Sequence, residues 1–274
     1  MQHLKENFKK YGYVKVNCID KKKLLLLKKN FSKMIEVSLK KNLNYSVNIR
    51  NKSKKVEFLL NKGMIYLEKS NHKYLSELYD QIVKSSNYYN VISDKNITKV
   101  LNYLLEREYD ENLYINSSSI RMDTPGITPY VYGWHQDDKS NIKDSDFVQV
   151  WMPVFTNINK NLGGLHILDK SFNYDIKTSH TKVEKEKLKK KQILRANHKV
   201  KILNNGFKFK EKEIYCNLGE AIFFNKKLMH KSGINKTKNK IRDTTQHKEY
   251  FENDVDFKEK EYAEKIFSTY YSNV

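Results

Sequence analysis

The pattern of apolar and polar positions divides the chain into a helical first part and a strand-rich second part. Apolar residues recur at helical spacing in residues 2–11, 21–42, 66–87 and 94–107, and Asp20 and Asp94 stand where N-caps are expected. Residues 13–19 alternate between apolar and polar positions, which predicts a strand between the first two helices. Residues 43–57 are polar and irregular, so the pattern predicts no element there.

From residue 113 onward the pattern predicts short strands. They are expected at residues 113–122, 130–136, 146–155, 163–168, 213–216, 220–225 and 241–251. Short strands separated by Gly, Asn and Pro are typical of a β-sandwich or barrel. The Lys- and Glu-rich residues 181–192 fit either a solvated helical insertion or a loop over a site.

The length and the two-part pattern together favour a single α+β domain. A chain of 274 residues with 39% hydrophobic content can bury one core of this size. We therefore expect one domain over residues 1–274, with a helical part at about 1–110 and a β core at about 111–255.

The composition also indicates a location. The longest run of aliphatic residues, 24–27, is far too short to cross a membrane, so no membrane span is expected. Residues 1–6 lack the apolar core of a signal peptide. Two distant cysteines, Cys18 and Cys216, fit reduced thiols, and we expect a cytoplasmic protein.

The formal net charge of +20 permits two interpretations. A basic protein can bind nucleic acid or another acidic partner. Alternatively, the charge reflects a lysine-rich composition throughout, because the lysines are spread along the chain and diluted with glutamate. No nucleic-acid module motif accompanies them, so we expect a small-molecule substrate rather than a nucleic acid. Nothing in the sequence indicates the oligomeric state.

Three residues form a candidate metal site. His135 and Asp137 are two positions apart, so in an extended segment their side chains project from one face. His230, far downstream, can add a second imidazole from another strand. Two histidines and one carboxylate on one face of a metal, with the opposite positions open, is the arrangement of non-haem Fe(II) oxygenases. Zn(II) at such a site would offer no redox chemistry.

The two-residue spacing of His135 and Asp137 is common by chance, and the order of several other motifs makes it more specific. The segments are Gly-Trp-His-Gln-Asp at 133–137, Val-Gln-Val-Trp-Met-Pro at 148–153, Leu-Gly-Gly-Leu-His-Ile at 162–167, Leu-Gly-Glu-Ala-Ile-Phe-Phe at 218–224, Met-His-Lys-Ser-Gly at 229–233, and Arg242. With the opening Phe8 and Gly-Tyr-Val at 12–14, this set resembles the phytanoyl-CoA dioxygenase family of Fe(II)/2-oxoglutarate-dependent dioxygenases over roughly residues 8–250. Residues 168–172 depart from the family's usual turn, which affects the expected shape of the pocket rim.

The resemblance implies a fold, cofactors and a reaction. The fold would be a double-stranded β-helix core, jelly-roll or cupin-like, with flanking N-terminal helices. The cofactors would be Fe(II), 2-oxoglutarate and O₂, with His135, Asp137 and His230 as metal ligands and catalytic residues. The expected activity is hydroxylation of a small-molecule or carrier-bound metabolite. Related halogenases have a small residue where this chain has Asp137, so the carboxylate favours hydroxylation over halogenation.

The family pattern also indicates residues around the co-substrate. Arg242 is the candidate partner of the distal carboxylate of 2-oxoglutarate, because a guanidinium binds carboxylates bidentately. Thr244 lies on the same face of the expected strand and can add a hydroxyl donor. Ser232, two residues after His230, is a weaker candidate for the same role.

Candidates on the substrate side have structural alternatives. Arg121 is expected either to contact substrate or co-substrate or to form a surface salt bridge. Trp134 is interpreted as a pocket wall or as core, and His166 as pocket-lining or as a core histidine satisfied by its neighbours. The neighbours of His247 suggest a solvated face.

Two alternative functions remain open from the sequence. A nucleic-acid-directed 2-oxoglutarate dioxygenase would use the same three metal ligands and would give the positive charge a purpose. A non-catalytic β-barrel binding protein would carry the His and Asp residues incidentally.

Overall fold

The computed structural model describes residues 2–107, 113–125, 133–137, 147–174, 176, 178–180, 200–202 and 208–251. The expected insertion at 181–192 lies outside the described residues, as do residues 130–132 of one expected strand. Within the described ranges the protein is an α+β structure, with its helices before residue 106 and most of its strands after residue 112. No described helix has the length and apolar character needed to cross a bilayer.

The described residues 2–107 contain seven α-helices. They are α1 (Gln2–Tyr11), α2 (Lys21–Leu43), α3 (Lys52–Phe58), α4 (Met64–Ser70), α5 (His72–Ile82), α6 (Ser86–Ile92) and α7 (Lys95–Leu105). The two expected N-caps are present, since the side chains of Asp20 and Asp94 accept the backbone N–H groups of Lys22 and Asn96. Helix α2 buries a stripe at three- and four-residue spacing, which packs it on the core. The stripe is Leu24, Leu27, Phe31, Ile35 and Leu39.

The helical region differs from the sequence prediction in two places. Residues 52–58, expected to be irregular, form α3, and a π-helical turn at Leu59–Gly63 continues it into α4. The single helix expected at 66–87 is three helices, because Asn71 and Ser85 cap new ones. Short polar side chains compete for backbone N–H groups, which ends one helix and begins the next.

The strands form three antiparallel sheets. Their bounds are β1 (Tyr13–Asn17), β2 (Leu113–Asp123), β3 (Val148–Pro153), β4 (Leu165–Leu168), β5 (Thr178–His180), β6 (Val200–Ile202), β7 (Glu211–Ile214), β8 (Glu220–Asn225), β9 (His230–Ser232) and β10 (Arg242–Phe251). The large sheet has the order β1-β8-β3-β10-β2, the small sheet is β7-β4-β9, and β5 pairs with β6. Three-residue strands such as β9 are too short to show a period, which is why the sequence did not predict them.

The large sheet is buried on both faces. One face carries Val148, Val150 and Phe223 into an apolar cluster shared with the helices. The other face carries Trp151 and Phe224 into a second cluster. Leu165 and Ile167 of the small sheet join that second cluster, so the two sheets share an apolar interior. The polar side chains that enter this interior define the candidate site.

Candidate metal centre

His135, Asp137 and His230 come together where the segment 133–137 pairs with β9. The backbones of His135 and His230 exchange two hydrogen bonds of 3.0 Å, and Asp137 N donates to Lys226 O at 2.9 Å. The Nε2 atom of His135 lies 4.0 Å from Asp137 Oδ1, and that of His230 lies 3.6 Å from Asp137 Oδ2. One ligand atom from each residue falls within 4.8 Å of the others, a spacing that can hold a metal ion.

Backbone carbonyls set the tautomer of both imidazole rings. His135 Nδ1 lies 2.8 Å from Gly133 O, and His230 Nδ1 lies 2.9 Å from Leu228 O. A carbonyl oxygen only accepts, so each Nδ1 carries the proton and each Nε2 presents its lone pair. Metal-binding histidines are commonly oriented in this way by their second nitrogen.

His230 is the most buried member of the cluster. Its Nε2 atom has no hydrogen-bond partner among the described residues, although a buried polar atom normally has one. Burial, and next the nearby charge of His135, lower the pKa of His230 to about 4, so the ring is neutral at pH 7. A neutral imidazole with an unused lone pair in a dry site fits a metal ligand.

A row of polar side chains leads away from the triad along β10. Arg242, Thr244, Gln246 and Lys248 alternate with residues that face the helices, so these four share the face toward the small sheet. Gln246 Nε2 donates to Asp137 Oδ2 at 3.4 Å, which connects the row to the metal cluster. We call these four residues the β10 polar row.

Arg242 lies at the far end of the β10 polar row and is 2% exposed. Its Nη1 donates to Gly233 O at 2.7 Å and to Gly163 O at 3.3 Å, and its Nη2 pairs with the carboxylate of Asp123. Asp123 is directly opposite Arg242 on β2. A buried guanidinium paired in this way is held in one orientation.

The two glycines that accept from Arg242 make this arrangement possible. Gly163 has a φ of +81°, and a Cβ there would lie 2.6 Å from Ile234 N. The close approach of the backbone at Gly163 to that at Gly233 brings both carbonyls to one guanidinium. Other side chains would separate the two segments.

Several buried polar atoms near Arg242 have no hydrogen-bond partner in the described part of the chain. They are Arg242 Nε, Thr244 Oγ1 and the two carboxylate oxygens of Asp123, one of which touches Arg242 Nη2 without hydrogen-bond geometry. Unsatisfied buried groups are costly and few in folded proteins, so a cluster of them marks a place for a polar ligand. Arg242 Nε and the Thr244 hydroxyl are donors, which suits a carboxylate, whereas the Asp123 oxygens are acceptors.

Two other sequence-predicted residues also lie on this side. Arg121 is directly opposite Thr244 on β2 and is half-buried. Ser232 follows His230 on the same face of β9. The structure therefore brings Arg242, Thr244, Ser232 and Arg121 to the face that carries the triad.

The structure does not bring His166 to the triad. On β4 the residues opposite His230 and Ser232 are Ile167 and Leu165, which face the interior, so His166 projects from the other face. There His166 Nδ1 pairs with Glu211 at 2.7 Å. Neither expectation describes this position, because His166 lies on the outer face and is partly exposed, although acidic neighbours satisfy its ring.

Trp134 is also directed away from the cluster. Its ring packs against a small apolar cluster of Leu168, Ile176 and Met229. The ammonium of Lys231, on the outer face of β9, lies 4.3 Å from the ring centroid. Trp134 thus braces the segment that carries His135.

The sequence interpretation of His247 was wrong. The residue is fully buried on the helix-facing side of β10, where its Nε2 lies 2.6 Å from Glu249 Oε1. Helices cover that face of the large sheet, so a polar local sequence did not indicate a solvated strand.

The segment that departs from the expected turn supports β9. Residues Ser171–Asn173 form a 3₁₀ turn, and the buried hydroxyl of Ser171 accepts the N–H of Met229 at 2.8 Å. Met229 immediately precedes His230. The departure in sequence therefore fixes the strand that carries a candidate metal ligand.

The sequence analysis missed the structural partners of these residues. Asp123, Gln149 and Lys248 are buried polar residues on the site-bearing face of the large sheet. The alternation of β10 past Gln246 was the available signal for Lys248. Asp123 and Gln149 required the register between strands, which one sequence does not contain.

Comparison with family models gives one match to this site and fold. The phytanoyl-CoA dioxygenase model matches residues 8–244, which include the triad, Arg242 and Thr244. The chain belongs to the phytanoyl-CoA dioxygenase family. No curated protein matches its sequence.

Solved structures with similar folds include non-haem enzymes that depend on alpha-ketoglutarate. The epimerase SnoN, solved with Fe³⁺, alpha-ketoglutarate and nogalamycin RO, is 12% identical with a TM-score of 0.55, covering 91% of this chain and 82% of its own. The carbocyclase SnoK from nogalamycin biosynthesis is 11% identical with a TM-score of 0.55, covering 91% and 83%. EvdO2 from Micromonospora carbonacea var. aurantiaca, complexed with 2-oxoglutarate, is 12% identical with a TM-score of 0.54, covering 91% of each chain. At these identities the likeness establishes a shared fold.

Proposed function

We propose that this protein is an Fe(II)- and 2-oxoglutarate-dependent dioxygenase that hydroxylates a small-molecule or carrier-bound metabolite. The observation that carries the proposal is the triad itself. Two imidazoles, each tied to a backbone carbonyl through Nδ1, present Nε2 beside the Asp137 carboxylate. Mixed imidazole and carboxylate donors suit Fe(II), and three protein ligands leave positions for a chelating co-substrate and O₂.

The co-substrate would lie along the β10 polar row. When bound, iron and 2-oxoglutarate together activate O₂ for oxidation of a substrate. Arg242 Nε and the Thr244 hydroxyl, both buried and without a hydrogen-bond partner among the residues that the structure describes, would bind the distal carboxylate. Ser232 and Arg121 are further candidates, because both project from the site-bearing face.

Asp123 shapes this binding. It pairs with Nη2 of Arg242, so the guanidinium is held in place and part of its charge is already balanced. The Nε donor of Arg242, which has no partner in the described residues, would then bond the distal carboxylate and orient it. Arg121, opposite Thr244, would supply additional positive charge for a dicarboxylate.

The interior between the sheets would exclude water from the reaction. Trp151, Ile222 and Phe224 line it on the large sheet, and Phe224 packs edge-on against His230 with ring centroids 4.8 Å apart. An apolar wall beside the metal position limits solvent access to the reacting groups. We infer that the two sheets form a double-stranded β-helix and that residues 1–274 are one domain. A cytoplasmic location stays a prediction.

An anaerobic titration tests the proposal directly. Adding Fe(II) and then 2-oxoglutarate to the protein should produce a weak visible charge-transfer band, and admitting O₂ should release succinate. His230→Ala should show neither signal, whereas His166→Ala, altered on the outer face of the small sheet, should show both. Iron uptake with no band and no succinate would favour a non-catalytic metal-binding protein instead.

A further inference from the structure

A second polar subsite lies at the other end of the β10 polar row. Lys248 follows Gln246 on the same face, and Gln246 contacts Asp137. Lys248 is 7% exposed, although lysines are seldom so buried. Burial lowers the pKa of Lys248, and the nearby Asp137 carboxylate partly opposes this effect. Lys248 in turn contributes to lowering the pKa of His230, so Lys248 lies near the triad.

Gln149 lies beside Lys248 on the neighbouring strand. The two residues are directly opposite in the β3–β10 pair, so their side chains share a face. Gln149 is 1% exposed, and its Oε1 has no hydrogen-bond partner within the described residues. Its other neighbour across the sheet is Phe224, whose ring contacts His230. A buried acceptor oxygen without a partner in the described residues, on the wall next to the metal cluster, marks a place for a hydrogen-bond donor.

Positive charge converges at this end of the site. The ammonium of Lys248 lies 5.1 Å from the centroid of the Phe147 ring, and that of Lys226 lies 5.9 Å from the same centroid. The backbone carbonyl of Lys226 accepts from Asp137 N. Two lysines therefore meet at one buried aromatic ring beside a metal ligand, an arrangement that attracts an anion.

We propose that Lys248 and Gln149 form a subsite that binds an acidic group of the substrate, a carboxylate or a phosphate, beside the metal centre. This inference rests on the proposed function, since it names the substrate class of that site. Lys248 supplies a compact charge, and Lys226 adds to the local potential. The Gln149 Oε1 atom is an acceptor, so it bonds an N–H or O–H donor of the substrate next to the acidic group. Residue 248 lies beyond the family match, which ends at 244.

The competing explanation is that Lys248 only balances charge. With Fe(II), Asp137 and the dianion 2-oxoglutarate in place, the centre carries a formal charge of about −1, since Arg242 and Asp123 cancel. A lysine that only neutralised this charge would change binding of 2-oxoglutarate and would not recognise a further anion. The two explanations thus predict different effects of removing the ammonium.

The test is a ³¹P NMR titration with methylphosphonate and a parallel ¹³C titration with labelled acetate. The protein is loaded with 2-oxoglutarate and either Co(II), which is paramagnetic, or Zn(II), which is not. We expect metal-dependent relaxation of at least one probe, and the preferred probe separates a phosphate from a carboxylate subsite. Lys248→Met should weaken that binding by about tenfold or more, as expected for loss of a charged hydrogen bond. Lys248→Arg should retain most of the affinity.

Lys231→Met is the matched control, because Lys231 is adjacent to His230 but lies on the outer face of β9. The anion affinity of this variant should match that of the parent. Equal affinity of Lys248→Met and the parent for both probes would overturn the proposal. So would a change confined to 2-oxoglutarate binding. If the parent takes up no metal, the same titrations still measure its affinity for the anions. Anion binding that depends on Lys248 in a protein without metal would support the subsite proposal and contradict the proposed dioxygenase function.

Discussion

At the scale of single residues, hydrogen bonds to neighbouring groups fix the orientation of the three triad side chains. Each imidazole is fixed by a carbonyl two residues earlier in the chain, and Asp137 is fixed by its backbone bond to Lys226 and by Gln246. Little rearrangement is then needed when a metal binds. Pre-organisation of this kind raises affinity because less side-chain entropy is lost.

Removal of any one of the three ligands should abolish metal-dependent turnover. We expect His135→Ala, Asp137→Ala and His230→Ala each to lose most bound Fe(II), because two remaining protein ligands hold a divalent metal weakly. Metal content, succinate release and thermal unfolding are measured together. The fold should persist in all three variants, and full turnover in any one of them would refute the assignment.

Arg242 should be required for binding of 2-oxoglutarate and not for binding of iron. Arg242→Leu should raise the 2-oxoglutarate half-saturation by about two to four orders of magnitude, because an unpaired buried carboxylate costs about 3–5 kcal/mol. Asp123 complicates this variant, since it also loses its partner and the fold loses stability.

The double variant Asp123→Leu/Arg242→Leu separates the two effects. Replacing a buried ion pair with apolar residues is often neutral for stability, so its unfolding should be close to that of the parent. Its 2-oxoglutarate requirement should stay high while iron binding is kept. If the double variant regains the parent's half-saturation, the distal carboxylate is bound elsewhere, and Arg121 is the next residue to change.

Asp243 should make stability depend on pH. Burial raises the pKa of Asp243 to about 7, against the opposing hydrogen bonds from Phe155 N and Thr156 N. The folded chain then holds a proton between about pH 4 and 7 that the unfolded chain releases, so stability falls as pH rises through this window. Asp243→Asn keeps the acceptor and removes the titration.

The variant should therefore unfold at a higher temperature than the parent at pH 8, with a smaller difference at pH 5. The gain is at most about 4 kcal/mol, since one pKa unit is about 1.4 kcal/mol. Thermal unfolding of both proteins across this range measures the difference. Parallel pH curves for parent and variant would show that Asp243 is ionised in the folded protein at all of these pH values.

At the scale of elements, β10 carries two unrelated tasks on its two faces. One face holds the β10 polar row, which contacts the triad through Gln246. On the other, Thr245 Oγ1 bonds Tyr88 OH at 2.6 Å and Asp243 accepts N–H groups of residues that follow β3. Strand alternation separates these tasks, so helix packing can position β10 without entering the site.

Asp94 should be the most sensitive cap in the helical part. It caps α7, and its other oxygen meets Lys23 Nζ at 2.9 Å and Asp20 N at 3.4 Å. These bonds outweigh burial and keep the pKa of Asp94 below its ordinary value. Asp94→Ala should cost about 2–4 kcal/mol, because a cap and a buried ion-pair partner are lost together.

Asp94→Asn is the matched comparison, since an amide still caps the helix but carries no charge. It should lose less stability than Asp94→Ala, with the difference measured by urea unfolding at pH 7. Equal losses would mean that the charge contributes nothing. Iron binding should be unchanged in both variants, because Asp94 lies on the helix-facing side of the large sheet.

At the scale of the whole molecule, the charge of +20 is spread along the sequence rather than confined to one segment. Several basic side chains of the described regions are paired with acids, including Lys5 and Lys9 with Glu106 and Lys212 with Asp169. We therefore expect binding to single- or double-stranded oligonucleotides with a Kd of roughly 1 µM or weaker at physiological salt, as for nonspecific contacts. Fluorescence anisotropy across a salt series measures this. Tight binding that persists at about 200 mM salt would make a nucleic-acid-directed dioxygenase the first hypothesis.

The sequence by itself determined features that depend on neighbours along the chain. Asp20 and Asp94 marked helix starts because a cap bonds to its own next turn. The spacing of His135 and Asp137 placed both side chains on one face because strand side chains alternate. The same rule placed Arg242 and Thr244 together.

Only the tertiary structure decided which strands are neighbours and in what register. The antiparallel bridge between His135 and His230, the pairing of Arg242 with Asp123, and the position of Gln149 beside Lys248 all join residues distant in sequence. A one-residue change of register would move each side chain to the opposite face, and local sequence does not specify it. The same holds for His166 and His247, because an alternating strand assigns two faces but not which face meets the helices, the interior or water.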